Sequence, residues 1–165
     1  MKGLIFEWSL NKKWGAGLIP LVLRSEYSHV SIVLDNGTLL SARLLSGVDK
    51  HKRDTSTYVK QEYWRLECDP AEALQWAHEQ IGKGYDLGAA FRFLLFFLNE
   101  DKQNFMCSEY ASGAMKRTNI YKSPPSYNDW AVSPVELLRQ FKVLSKIHSP
   151  ITRYLGTDIT PSDFG

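Results

Sequence analysis

Apolar and polar residues follow two different spacings, forming short β-rich runs at first and recurring at helical intervals after residue 68. In the first part we predict strands over residues 3–7, 28–34, 38–44 and 58–66. Asp35-Asn36-Gly37, between two of these runs, is a hairpin signal. Gly47-Val48 is predicted to end that hairpin, and a polar loop is predicted to follow up to Thr57. Residues 12–23 mix apolar residues with glycine and proline, which predicts a broken helix or a helix followed by a turn.

Helices dominate the predicted second part. The first has Asp69 as its N-cap and Pro70 at its first position, and glycines at 82 and 84 end it. Three more are predicted: one from residue 86 to 98, one capped by Asn104, and a short one that starts at residues 133–136. A last strand over 143–147 and a loosely held tail from residue 157 follow. With no internal repeat or linker, residues 1–165 are expected to form one α+β domain, a small antiparallel sheet of N-terminal strands packed against C-terminal helices.

The composition excludes several classes of protein. A chain of 165 residues suffices for one domain with a hydrophobic core. The net charge of +2 is too small, and the basic residues are too scattered, to indicate a nucleic-acid partner; the run 50–53 is interpreted as a solvated loop. The apolar run 87–98 is broken by Arg92 and is too short to span a bilayer, and the N-terminus turns polar too soon for a signal peptide. We therefore expect a cytoplasmic protein with no integral membrane segment.

The two cysteines differ in their surroundings. Neither Cys68 nor Cys107 belongs to a CxxC pair or a Cys/His cluster, so no metal site is predicted. Cys107 falls in the first turn of the helix capped by Asn104, where unpaired N–H groups and the helix dipole favour the thiolate. The thiolate is the nucleophilic form, so a cysteine hydrolase would place its cysteine here. On position alone, the alternative interpretation that Cys107 is a small buried hydrophobic residue is equally well supported.

His29 is the histidine that is a candidate for chemistry. It lies on the predicted strand 28–34, whose residues Val30 and Ile32 point to the core, so that His29 faces the other way, where a cleft can lie. For the histidines at 51, 78 and 148 a structural role is preferred. A lone histidine on a strand is usually structural as well. Together with a cysteine at a helix N-terminus, however, it supplies the other half of a Cys–His dyad.

Four short motifs occur together between residues 24 and 115. They are a segment from Ser28-His29-Val30 through Asp35-Asn36-Gly37 to Leu40-Ser41-Ala42, then Gly47-Val48, Gly84-Tyr85-Asp86 and Phe105-Met106-Cys107-Ser108-Glu109. They resemble the histidine, tyrosine and nucleophile motifs of the NlpC-type papain-like cysteine hydrolases. The histidine precedes the cysteine, which resembles the circularly permuted branch of YiiX-like hydrolases and lecithin retinol acyltransferase-like enzymes. The entry from Arg24 to His29 is also similar to small proteins of tailed bacteriophages. The resemblance implies a circularly permuted papain-like fold.

The resemblance also implies roles for individual residues. Cys107 is expected to be the nucleophile and His29 the general base. Tyr85 is expected to donate its hydroxyl near the developing oxyanion, with the backbone N–H of Cys107 as a second donor. Glu109 is assigned to stabilising the helix N-terminus rather than to chemistry.

Ser41 stands at the third polar position, where many relatives carry a stronger acceptor such as glutamate or histidine. A serine can orient an imidazole only weakly. If Asp35-Asn36-Gly37 forms a three-residue loop with a bulge, Ser41 shares the face of His29. If Asn36-Gly37 forms a two-residue turn, Ser41 points to the other side of the sheet. The sequence leaves both arrangements open.

Two functions are compatible with these residues. The first is a cysteine hydrolase or acyl transferase that works through an acyl-enzyme; the wider family implies peptide amide bonds of the bacterial wall (peptidoglycan), and the permuted branch implies lipid-like acyl substrates. The second is a catalytically silent binding protein or virion structural protein that keeps the fold. A phage-encoded protein is expected to be associated with the virion. The chemistry needs no metal or organic cofactor, and the sequence does not predict an oligomeric state.

Overall fold

A six-stranded antiparallel sheet forms the centre of the described chain. The computed structural model describes residues 3–11, 26–54, 56, 58–86, 106–118, 120, 134–147 and 151–155. The strands are β1 (Leu4–Asn11), β2 (His29–Val33), β3 (Leu39–Arg43), β4 (Gly47–His51), β5 (Tyr58–Leu66) and β6 (Ile151–Leu155), in the order β4-β3-β2-β1-β5-β6 across the sheet. The helices are α1 (Ala71–Glu79), α2 (Cys107–Met115) and α3 (Pro134–Ile147). These elements confirm the predicted α+β class.

Alternation along the strands gives the sheet two unlike faces. One, which we call the apolar face, packs with all three helices in the main core and carries Phe6, Trp8, Val30, Ile32, Leu40, Ala42 and Val48. The opposite face, which we call the polar face, carries polar side chains that are almost fully buried, among them Glu7, Ser9, Ser31, Ser41 and Gln61. Because successive side chains on a strand point to opposite faces, the register of each strand decides which face a candidate residue joins.

The β2–β3 hairpin closes with a three-residue loop. The N–H of Gly37 donates to the carbonyl of Leu34 at 2.8 Å, and Gly37 has a φ of 75°. A turn followed by a glycine in the left-handed region is the arrangement of a three-residue hairpin loop with a bulge. In the resulting register Ser41 lies on the polar face together with His29. The first of the two predicted loops is therefore the one present.

Helix α2 is held between the sheet and α1. The hydroxyl of Tyr110 donates to the carbonyl of Ala77 at 2.9 Å, and the Tyr110 ring stacks against Trp76 with a centroid separation of 5.7 Å. Gly113 lies directly under Trp76, where an added Cβ would come within 2.3 Å of the indole ring. These contacts join α2 to α1, and α2 also packs against β2 and β3.

Three predictions about elements were wrong or incomplete. Residues 49–51, predicted as a polar loop, belong to β4, because Val48 is buried in the core and the strand pairs with β3 along its length. Residues 143–147, predicted as a strand, continue α3, whose Phe141 packs edge-on against Trp8 at 5.0 Å while Val143 is 55% exposed. The sheet is completed by β6, which pairs with β5, so it is not made of N-terminal strands alone.

The remaining element predictions have mixed outcomes. The predicted strand over 58–66 is confirmed with the same bounds, and the strand predicted over 3–7 extends to Asn11. Helix α1 begins at Ala71 with Pro70 as its N-cap, one residue later than predicted, and the Ala71 N–H donates to Asp69 Oδ1 at 3.1 Å. The predictions for residues 12–23, 87–98 and the tail from 157 lie outside the described residues. No helix within the described ranges is long and apolar enough to cross a membrane.

Candidate functional site

Cys107 is the first residue of α2. The preceding residue, Met106, is extended, and its N–H donates to Glu109 Oε2 at 2.8 Å. Glu109 thus stabilises the helix N-terminus, as the sequence predicts. Asn104, the predicted N-cap, lies outside the described residues. The Cys107 side chain is 3% exposed and belongs to the main core. The nucleophile candidate therefore sits at a helix N-terminus and is buried there.

Burial decides the protonation state of the Cys107 thiol. Desolvation raises the pKa of the thiol, and the backbone N–H groups of Val30, Ser108 and Cys107 itself, which donate to the sulfur, lower it by less. The charge of Glu109 adds to the rise, and the net result is a pKa of about 11. The expectation that the helix N-terminus favours a thiolate is therefore wrong for this arrangement. At neutral pH the group is a thiol.

His29 is directed towards Ser41. Its Nε2 lies 3.0 Å from Ser41 Oγ, and Ser41 is fully buried. Burial and, to a smaller extent, the positive charges of His51 and Arg43 lower the pKa of His29, the charge of Asp49 opposes them, and the net pKa is about 4. The imidazole is therefore neutral near pH 7, and in the tautomer whose Nε2–H donates to Ser41 Oγ, Nδ1 is the nitrogen that can accept a proton.

His29 and Cys107 meet through the backbone of β2. The N–H that donates to the Cys107 sulfur belongs to Val30, whose nitrogen is bonded to the carbonyl carbon of His29. The side chains themselves diverge: the register of β1 with β2 places His29 opposite Ser9 on the polar face, whereas α2 packs against the apolar face. Within the described residues no hydrogen bond joins the imidazole to the thiol. The imidazole and the thiol thus belong to two neighbouring elements, β2 and α2, and do not form a closed dyad.

Tyr85 lies near enough to Cys107 for the charge of a thiolate to affect its pKa. The segment after α1 runs beside β4, where the N–H of Val48 donates to the carbonyl of Lys83 at 2.8 Å, and Tyr85 packs against the main core just beyond that bond. Burial raises the pKa of Tyr85, and the charges of Cys107 and Glu109 raise it further. The phenol therefore stays protonated and remains a hydrogen-bond donor, as its predicted role requires.

A charged group beside His29 was missed at the sequence level. Arg43 Nε lies 2.9 Å from Asp49 Oδ1, and the second guanidinium nitrogen pairs with Asp49 Oδ2. His51 Nδ1 lies 3.2 Å from the same carboxylate. The signal was present, since Arg43 and Asp49 carry opposite charges on either side of a three-residue turn. The sequence analysis does not identify this ion pair, because it predicts a loop over residues 49–57.

The nearby basic residue Arg53 is also not part of a solvated loop. Its side chain is 12% exposed, and its Nε lies 2.9 Å from Glu7 Oε2 on the polar face. Burial raises the pKa of Glu7, and the Arg53 charge works against that rise. Arg53 and Glu7 therefore form a buried ion pair under the sheet rather than a surface charge.

The arrangement contains groups of the kind that acyl transfer to sulfur uses. A thiol, a neutral imidazole on the adjacent strand residue and a protonated phenol are the groups that such a reaction uses. Among the described residues no group of three or more His, Cys, Asp or Glu side chains could hold a metal ion. Comparison of the chain with protein-family models, with curated proteins and with solved structures finds no match.

Proposed function

We propose that the protein is a cysteine hydrolase or acyl transferase of the circularly permuted papain-like type, with Cys107 as nucleophile and His29 as general base. The observation that carries the proposal is the position of Cys107, which is the first residue of α2 and lies close enough to the backbone N–H of Val30, the residue after His29, for that group to lower the pKa of the thiol. The nucleophile and the base are therefore attached to two neighbouring elements, α2 and β2. The substrate class is an amide bond, such as those in cell-wall peptides, and the site of action is the cytoplasm or a virion.

The reaction assigns one step to each group. The imidazole of His29 turns from Ser41 towards the sulfur and takes the thiol proton, and the sulfur attacks the carbonyl carbon of the substrate. The Tyr85 hydroxyl and the Cys107 N–H donate to the oxyanion of the tetrahedral intermediate. The C–N bond then breaks, and His29 returns its proton to the leaving amine. Water, deprotonated by His29, hydrolyses the thioester and regenerates the thiol.

In the resting protein the Cys107 thiol and the His29 imidazole are both uncharged. The thiol pKa of about 11 and the imidazole pKa of about 4 differ by about seven units. Attraction between a thiolate and an imidazolium 4 Å apart is worth about 4 kcal/mol in protein surroundings, or about three units. That attraction is too small to close the gap. Proton transfer therefore accompanies attack on a bound substrate instead of preceding it, and the imidazole has to turn towards the sulfur.

Turnover by a small set of variants tests the proposal. Wild type is assayed on peptide amides, esters and thioesters, beside Cys107→Ser, His29→Ala and the matched control Cys68→Ser. Cys68 is free, half-buried and away from the site. We expect Cys107→Ser and His29→Ala to lose roughly 100-fold or more in kcat/KM, since general-base catalysis contributes that much, and Cys68→Ser to retain it. Equal activity in all four proteins would exclude the assigned nucleophile.

The second candidate function is a catalytically silent binding or virion structural protein. It is favoured by one observation, that the imidazole hydrogen-bonds to Ser41 and not to the thiol. This function predicts that no amide, ester or thioester is turned over and that Cys107→Ala leaves folding and ligand binding unchanged. The variant panel therefore decides between the two functions.

A further inference from the structure

We propose that Asp49 on β4 is a positioning residue for His29, supplying across β3 the negative charge that Ser41 lacks. The inference rests on the proposed function, in which His29 becomes an imidazolium during the reaction. In that state the ring carries a charge, and a buried charge without a counter-charge is costly. Ser41 offers a hydroxyl, which can hydrogen-bond to the ring but cannot neutralise it.

Strand register places Asp49 on the correct side of the sheet. Ser41 and Asp49 are directly opposite each other in the β3–β4 pair. Side chains of opposite residues in an antiparallel pair share a face, with Cβ atoms about 4.5–5.5 Å apart. Because Ser41 is bonded to His29 on the polar face, Asp49 lies on that face as well, one strand beyond Ser41.

The Asp49 carboxylate is fixed in place and ionised. Arg43 binds both of its oxygens, and His51 approaches Oδ1 at 3.2 Å. Burial disfavours the charge on Asp49, but the hydrogen bonds and charge of Arg43 outweigh it and hold the pKa of the carboxyl below its usual value. Asp49 is therefore a charge with a defined position.

The other groups around His29 show why this charge matters. On β3 and β4, Arg43 and His51 are both cationic or able to become so, and both disfavour the imidazolium. On β1, Ser9 opposite His29 is uncharged, and Glu7 two residues away is engaged by Arg53. Asp49 is the group that raises the proton affinity of His29. Removing it leaves Arg43 without its partner and exposes His29 to uncompensated positive charge.

Titration of His29 by NMR, with the ring carbons labelled, tests this inference without any need for activity. We expect Asp49→Asn to lower the pKa of His29 below its wild-type value, because an opposite charge nearby favours the protonated ring. Asp49→Ser, which removes the same charge with a smaller side chain, is expected to do the same. Asp49→Glu keeps a carboxylate at this position and is expected to leave the pKa of His29 near its wild-type value. Asp35→Asn changes an exposed turn residue and is expected to leave the titration unchanged.

The outcomes separate this inference from the proposed function. An unchanged His29 titration in both Asp49→Asn and Asp49→Ser overturns the inference, whatever the protein catalyses. If the titration shifts but no substrate is turned over, the positioning role stands and the catalytic proposal fails. If the positioning role and the catalytic proposal are both correct, the acid limb of the kcat/KM profile of Asp49→Asn moves to lower pH. The size of that move equals the change in the His29 pKa measured by NMR, which a merely structural role would not produce.

Discussion

At the scale of single residues, two opposing effects set the pKa of the Cys107 thiol: its position at a helix N-terminus and its burial. The backbone N–H groups of Val30, Ser108 and Cys107 itself lower the pKa of the thiol, as expected at a helix N-terminus. The side chain is nevertheless 3% exposed, and the loss of hydration raises the pKa by more than the N–H groups lower it. Position at a helix N-terminus is therefore not sufficient for a reactive thiol; access of water or substrate is the other requirement.

The alkylation rate of Cys107 should report this directly. In the folded protein we expect its labelling by iodoacetamide to rise with pH towards a midpoint near 11, because only the thiolate reacts. Labelling is quenched at each pH and assigned to Cys68 or Cys107 by mass spectrometry. In urea both cysteines should label with a midpoint of about 8.5, the value of a free thiol. A folded-state midpoint at or below that value would show that burial does not control Cys107.

At the scale of elements, the β2–β3 hairpin decides whether the candidate base has a partner. The bulge at Gly37 keeps Ser41 on the polar face, and a loop one residue shorter would turn it to the apolar face. The strand pattern predicted the hairpin, but Asp35-Asn36-Gly37 fits both loop lengths. The choice depends on the φ angle of one residue and on pairing across the whole hairpin, which local composition does not encode.

Substitution at Gly37 tests that account. Because the residue has a φ of 75°, we expect Gly37→Ala to lower the free energy of unfolding by about 1–2 kcal/mol, measured by urea denaturation. Gly37→Asn is the matched control, since asparagine tolerates the left-handed region, and should lose less than half as much. Equal losses in the two variants would argue that the strain lies elsewhere than in the backbone of the turn.

Strand β4 shows the opposite case, an element that the sequence signals too weakly. Of its five residues only Val48 is a large buried hydrophobe, so alternation of apolar and polar residues is hard to recognise. Its stability comes from partners distant in sequence: pairing with β3 and the bond from the Val48 N–H to Lys83. Cys107, His29, Ser41 and Tyr85 could be proposed from local motifs, whereas Asp49 and His51 become visible only once β4 is placed.

At the scale of the whole molecule, the sheet buries ionisable groups on its polar face, and stability should therefore depend on pH. Burial raises the pKa of Glu7, which favours the folded state as pH falls. His29 acts in the other direction, because its pKa is lowered to about 4 from an unfolded value of 6.5. Between these two pH values the unfolded chain binds more protons at His29 than the folded one. The stability that His29 contributes is thus present above pH 6.5 and is lost as the pH falls to 4.

Comparison of wild type with His29→Gln isolates this contribution. A difference of about 2.5 pKa units corresponds to about 3 kcal/mol. We expect the free energy of unfolding of wild type to fall by about 3 kcal/mol more than that of His29→Gln between pH 7 and pH 4. Urea titrations at both pH values provide the measurement, and His78→Gln, which alters an exposed histidine, is the control. Parallel pH dependence of wild type and His29→Gln would show that His29 titrates normally.

The most direct test of the account is whether Cys107 becomes acylated. Wild type, His29→Ala and Cys68→Ser are incubated at pH 7 with a peptide thioester, quenched in acid and measured by intact mass, with peptide mapping to locate the adduct. The account predicts one acyl group on Cys107 in wild type and in Cys68→Ser, formed roughly 100-fold or more slowly in His29→Ala. No adduct on Cys107, or the same rate of acylation with and without His29, would contradict the Cys–His mechanism.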